Sequence, residues 1–118
     1  MQINITGKNI DLTDAIKNYV EKKINELEKF YDKIVRGQVV VGKENQHHLK
    51  GNIFFCECKL EVPGKDLFVI KNEADLYKAI DKVRDHLESE LKKHKVTKRE
   101  KDKKDKRKVR DGKEYKIQ

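Results

Sequence analysis

Gly51-Asn52-Ile53-Phe54-Phe55-Cys56-Glu57-Cys58-Lys59-Leu60-Glu61-Val62-Pro63-Gly64-Lys65-Asp66-Leu67-Phe68-Val69-Ile70-Lys71 decides the fold. Phe54, Cys56, Cys58, Leu60 and Val62 alternate with Phe55, Glu57, Lys59 and Glu61. This period of two is that of an extended chain with one buried face, so residues 51–62 are expected to form a strand. The only proline of the chain then stands beside a glycine, and Pro63-Gly64-Lys65-Asp66 reads as a turn between two apolar segments. Leu67 to Lys71 resumes the alternation as a second strand of the same hairpin. Cys56 and Cys58 are the only cysteines. Two apart on a strand they share a face as neighbours rather than as a bridgeable pair, and they lack the two-residue gap of a redox or zinc motif. They read as small buried hydrophobes in a reducing compartment.

Upstream, Val35 to Lys43 has Val39 and Val41 on one face with Gly37 and Gly42 near its ends, a further strand that leads into the turn-like Glu44-Asn45-Gln46-His47-His48. Adjacent histidines diverge on an extended chain, so His47 and His48 read as a solvated loop and no metal site is expected. Before this strand, Leu12, Ile16, Tyr19, Val20, Ile24, Leu27, Phe30 and Tyr31 recur at three- and four-residue steps. That spacing predicts a helix of about five turns with one apolar stripe. Asp11-Leu12-Thr13-Asp14 offers capping oxygens and acidic charge at its start. Met1 to Gly7 alternates Ile3 and Ile5 with polar residues, a first short strand. Downstream, Asp75 is placed to cap a second helix in which Leu76, Ala79, Ile80, Val83, Leu87 and Leu91 follow helical spacing, with a Glu88–Lys92 pair four apart, reaching about His94.

The order strand, helix, three strands, helix gives an α+β chain, a β-α-β-β-β-α two-layer sandwich. Both helices would cover one face of a four-stranded mixed sheet. The strand-helix-strand opening predicts that the first two strands are parallel, and the short turns make the others antiparallel. Helix, three strands, helix is also the order of double-stranded RNA-binding domains, an analogy of topology alone.

The 118 residues carry 29 Lys plus Arg, 21 Asp plus Glu and a net charge of +8. The distribution is uneven: 17 basic and 16 acidic side chains lie in residues 1–94, a net +1, and 12 and 5 in residues 95–118, a net +7. Residues 1–95 are therefore expected to form one domain and residues 96–118 a basic flexible tail, since the tail has almost nothing apolar to bury. No run approaches the roughly 20 apolar residues of a membrane span, and the first residues lack the basic and apolar regions of a signal peptide. A cytoplasmic location is expected, without a membrane partner.

No catalytic constellation is visible. The only serine, Ser89, falls on the second helix, and no glycine-rich phosphate loop precedes either helix. The expectation is a chain that is not an enzyme, with no cofactor and no small-molecule substrate. What remains is basic surface. Lys22, Lys29 and Lys33 fall at helical spacing on the polar side of the first helix, flanked by Lys17 and Lys23. On the second, Lys78, Lys82, Lys92, Lys93 and Lys95 do likewise, with Arg84 nearby. Side by side, the helices would present a discontinuous cationic surface suited to a phosphate backbone, because lysine is a mobile point charge that reads no bases. In the tail, Lys98, Arg99, Lys101, Lys103, Lys104, Lys106, Arg107, Lys108 and Arg110 would add phosphate contacts. Acids such as Glu26, Asp85, Glu88 and Glu90 lie among the helix lysines, so an ordinary charged surface stands as the plain alternative. A general double-stranded RNA or nucleic-acid module acting through its tail is the functional alternative.

Met1-Gln2-Ile3-Asn4-Ile5-Thr6-Gly7-Lys8-Asn9-Ile10 and Asp75-Leu76-Tyr77-Lys78-Ala79-Ile80-Asp81 resemble the bacterial ribosome hibernation promoting factor family, also called ribosome-associated inhibitor. The resemblance covers residues 1 to about 95 and includes Leu27-Glu28-Lys29 and Lys93-His94-Lys95. It implies the same element order and binding to the small ribosomal subunit and its 16S rRNA within the 70S ribosome. The place implied is the channel of messenger RNA and the A-site and P-site transfer RNAs, and the mechanism is occupancy without chemistry. The family's rRNA contacts carry over to Lys17, Lys23, Lys29, Lys93 and Lys95, while Tyr77 is expected to pack the second helix against the sheet, with stacking on RNA as the less favoured alternative. Glu26 and Ser89 stand where relatives often have a Lys or Arg, and His86 replaces another, which would weaken the folded domain's grip. Long relatives carry a second domain after a linker; residues beyond 95 lack its apolar pattern, so the chain resembles the short form, with a truncated long form whose linker would be the charged segment 96–114 as the alternative.

Overall fold

A computed structural model describes the backbone of residues 1–44, 51 and 53–115, and within these the side chains as far as residue 97. Strands β1 (Gln2–Lys8), β2 (Arg36–Lys43), β3 (Phe54–Val62) and β4 (Lys65–Glu73) form one sheet in that order. β1 and β2 are parallel, whereas the β2–β3 and β3–β4 pairs are antiparallel. The register carries one apolar row across all four strands, through Ile5, Val39, Cys58 and Val69. The α+β sandwich expected from the sequence is the fold observed.

Two helices supply the second layer: α1 (Asp14–Asn25), continued by a 3-10 turn over Glu26–Lys29, and α2 (Leu76–Tyr115). Thr13 caps α1, its hydroxyl accepting the Ile16 N–H at 3.2 Å. Asp75 does the same for α2, accepting the Tyr77 N–H at 2.9 Å. Val20, Ile24 and Leu27 from the first helical segment and Leu76, Ala79, Ile80, Val83, Leu87 and Leu91 from α2 close over Val39, Val41, Cys56, Cys58, Leu60, Val62, Leu67 and Val69 of the sheet. Burial raises the pKa of both thiols, Cys58 to about 12, so they are the inert hydrophobes that their spacing suggested.

Several details differ from the sequence reading, and β3, expected from Gly51, begins at Phe54. The first helix is three α turns plus one 3-10 turn, because its last carbonyls are met by a tightening of the chain rather than by a fifth turn. Phe55, on the open side of the sheet, is nonetheless buried. It pairs with Gly42, and a Cβ there would stand 2.7 Å from the Phe55 ring, so the ring occupies the space a side chain would need. β4 extends in both directions from 67–71, the turn holding Gly64 at φ +83, the left-handed conformation that glycine adopts without strain. Finally, α2 does not stop near His94 but continues to Tyr115. No proline follows Pro63, and opposite charges at four-residue spacing, as in Glu100–Lys104 and Asp102–Lys106, favour helix along the sequence. The turn read at 45–48, with His47 and His48, lies outside the described residues.

Candidate nucleic-acid interface

The helical layer has one outer surface, and its geometry follows from how the two helices meet. Tyr19 touches Tyr77 and Asp81; Glu26 meets Arg84; Phe30 lies beneath Arg84 and Lys92; Tyr31 faces His94. The partners advance in the same direction along both segments, so the helices run side by side and parallel. Lys29 and Lys33 on one side and Lys92, Lys93 and Lys95 on the other thus gather toward the same end of the layer.

The eleven cations expected on these helices fall into three groups. Lys17, Lys22, Lys29, Lys33, Lys78 and Lys95 are exposed and, among the described residues, have no ion-pair partner; Lys33, expected on the first helix, stands instead in the turn after it, because the 3-10 segment ends at Lys29. Lys23, Lys82, Lys92 and Lys93 lie 3.7 Å from Asp81, 2.6 Å from Glu73, 2.9 Å from Glu88 and 3.9 Å from Glu90. Such solvated pairs are worth about 0–1 kcal/mol and exchange readily for a phosphate. Arg84 differs. It is only 17% exposed and donates to Glu26 at 3.1 Å, Asp85 at 3.1 Å and Glu88 at 2.5 Å. Burial works against its charge, but the hydrogen bonds to Asp85 and Glu88 outweigh this and raise its pKa. Lys92, with Arg84 behind it and against a burial penalty, holds the Glu88 carboxyl below the usual carboxylate range. Arg84 is therefore a clamp between the helices, and Glu26, read from sequence as a lost cation, is one of its anchors. The side chains of Lys98 to Arg110 fall outside the described residues.

Sequence reasoning missed the aromatic seam. Tyr19 donates to Asp81 Oδ1 at 2.6 Å, which with burial raises its pKa to about 12, and Lys23 sits 5.5 Å from its ring centre. Tyr77 does not pack against the sheet: its ring meets Tyr19 edge-on at 4.8 Å and 88°, and it stays 38% exposed. The available signal was the four-residue spacing of Tyr19 with Lys23 and of Tyr77 with Asp81, an aromatic and a charge on one face of each helix.

Among the described residues, no helix is long and apolar enough to cross a membrane. The family model described as Sigma 54 modulation protein / S30EA ribosomal protein matches residues 3–99. A ribosome hibernation promoting factor of Azotobacter vinelandii is 41% identical over 95 residues, 80% of this chain and 83% of the relative. That of Escherichia coli K12 is 35% identical over 95 residues, 80% of this chain and 94% of the relative. The N-terminal domain of Thermus thermophilus Protein Y superposes with a TM-score of 0.70 at 34% identity, over 80% of this chain and 99% of that one. A ribosomal subunit interface protein from Coxiella burnetii shares the fold, with a TM-score of 0.71 at 23% identity over 81% and 99%. With the motifs at both ends of the folded domain and the model match over residues 3–99, the chain belongs to the Sigma 54 modulation protein / S30EA ribosomal protein family, that of the ribosome hibernation promoting factors.

Proposed function

We propose that this chain is a cytoplasmic ribosome hibernation factor. It binds the small ribosomal subunit, alone or within the 70S ribosome, along the channel of messenger RNA and the A-site and P-site transfer RNAs, and it silences translation by occupying that space. The observation that carries the reading is the set of six exposed lysines, five on two parallel helical segments and Lys33 in the turn that follows the first, that have no ion-pair partner among the described residues. Ammonium groups spaced over one layer match an RNA backbone, here that of 16S rRNA, and demand no base sequence. The exchangeable pairs at Lys23, Lys82, Lys92 and Lys93 add to this set once a phosphate competes with their carboxylates, while Arg84 remains in its clamp. Residues 1–95 act as the docking domain and segment 96–118, with 11 basic and 5 acidic side chains and a net charge of +6, as an arm that adds phosphate contacts.

Cosedimentation with purified small subunits tests the reading. The unmodified chain is expected to pellet with small subunits at low and moderate salt, and the Lys29→Glu, Lys33→Glu double variant to stay largely in the supernatant. A chain that remains free, or pellets only with large subunits, overturns it. If instead deletion of 96–118 abolishes binding while the double variant binds any RNA duplex normally, the chain is a general nucleic-acid module acting through its tail.

A further inference from the structure

We infer that Tyr77 is a stacking plate for an unpaired nucleobase of the RNA that the helical layer binds, an inference that rests on reading this layer as an RNA surface. Lysines alone hold a backbone and leave its bases free to move. Tyr77 adds a different chemistry at the same place. Among the described residues it is the only exposed aromatic side chain of the helical layer; of the other exposed large hydrophobics, Phe68 and Ile70 lie on β4 and face away from the helices, and Val35 and Val96 have no π face.

The ring is held before any ligand arrives. The Asp75 carboxylate accepts the Tyr77 N–H at 2.9 Å and fixes its backbone in the first turn of α2. The Tyr19 ring stands against it edge-on at 4.8 Å. Tyr19 is itself pinned by its 2.6 Å hydrogen bond to Asp81, and Asp81 by Lys23 at 3.7 Å. A side chain already restrained loses little freedom on binding, which is the condition under which stacking contributes most. The surroundings select the partner. Lys78 is the next residue and is exposed, and Lys23 lies across the seam, so a base on Tyr77 would have ammonium groups close to its own phosphates. An apolar protein surface would find one ring ringed by charge. Stacking needs only a π face, so any base suits, and the site favours single-stranded or bulged RNA over a closed duplex.

The chain has no tryptophan, so Tyr77→Trp places a sole indole reporter at the site. Its fluorescence is expected to be quenched by single-stranded oligoadenylate and by small subunits. In parallel, Tyr77→Ala is expected to weaken subunit binding about 5- to 150-fold with the salt dependence unchanged, while Tyr77→Phe binds within about twofold of the unmodified chain. Circular dichroism confirms that each variant is folded, and the indole signal stands even where the alanine variant is not. Cosedimentation without quenching overturns the stacking site and leaves the ribosome reading intact. Quenching by oligoadenylate without subunit binding supports the stacking site and overturns the ribosome reading. A folded Tyr77→Ala chain that binds like the unmodified one also overturns the stacking site.

Discussion

At the scale of single residues, two side chains have measurable consequences. The Tyr19 hydroxyl is held by Asp81, partly buried and surrounded by negative charge, and its pKa is pushed up to about 12. A group whose native pKa lies above its unfolded value stabilises the fold below that unfolded value, about 10, and the contribution is lost as pH rises through 12. One of the four tyrosines should therefore ionise late when phenolate absorbance is followed against pH. Tyr19→Phe should remove that late step and lower the unfolding free energy by about 1 kcal/mol. Gly42 makes the opposite argument, from space rather than charge. A Cβ there meets the Phe55 ring at 2.7 Å and collides with the Lys8 carbonyl oxygen, a backbone atom that cannot turn aside. Gly42→Ala should cost about 1–3 kcal/mol in a denaturant titration, and Phe55→Leu should recover part of the loss by clearing the ring.

Between elements, the seam of α1 with α2 rests on Arg84. Arg84→Ala would leave Glu26, Asp85 and Glu88 facing one another without their shared cation, and a loss of about 2 kcal/mol is expected in chemical unfolding. Glu88 carries the pH dependence of this seam. Its native pKa is below the ordinary carboxylate value of about 4.3, so its contribution is present above that value and is lost as pH falls through the lower native one. Glu88→Gln should accordingly flatten the acid limb of the stability curve below about pH 4.3. This is also where sequence reading reached its end. The stripe Val20, Ile24, Leu27 and the stripe Leu76, Ala79, Ile80, Val83, Leu87 were legible, because periodicity reports which face of an element is buried. It does not report what the polar flank of that face meets. Glu26 and Arg84 are 58 residues apart, and Tyr19 and Asp81 are 62, so neither contact leaves a local trace. Nor does the spacing of Tyr77 along α2 disclose its contact with Tyr19, 58 residues away. The run of α2 to Tyr115 was missed for another reason: absence of apolar residues argued against burial, and a helix needs none to form.

For the whole molecule, the +8 charge divides between residues 1–94 near neutrality and a strongly basic segment, yet the helical layer keeps six ammonium groups that are unpaired among the described residues, while acids at Glu26, Glu73, Asp81, Asp85, Glu88 and Glu90 are drawn into pairs with other cations. If the six unpaired lysines each meet a phosphate, a chain lacking 96–118 should show a slope of about −4 to −5 in log affinity against log salt, and the full chain a steeper one. Fluorescence anisotropy with labelled protein and small subunits measures both slopes. The buried Cys56 and Cys58 give this whole-molecule behaviour a clock. They sit fully covered in the central row of β3, with both thiols held far from ionisation, and they are the only two thiols of the chain. A thiol reagent can reach them only when the helices lift from the sheet, so the rate of labelling counts openings of the entire sandwich. Cysteines placed on the surface for tethering or spectroscopy would react selectively in the closed protein, and the native pair would report, in the same tube, how often it opens.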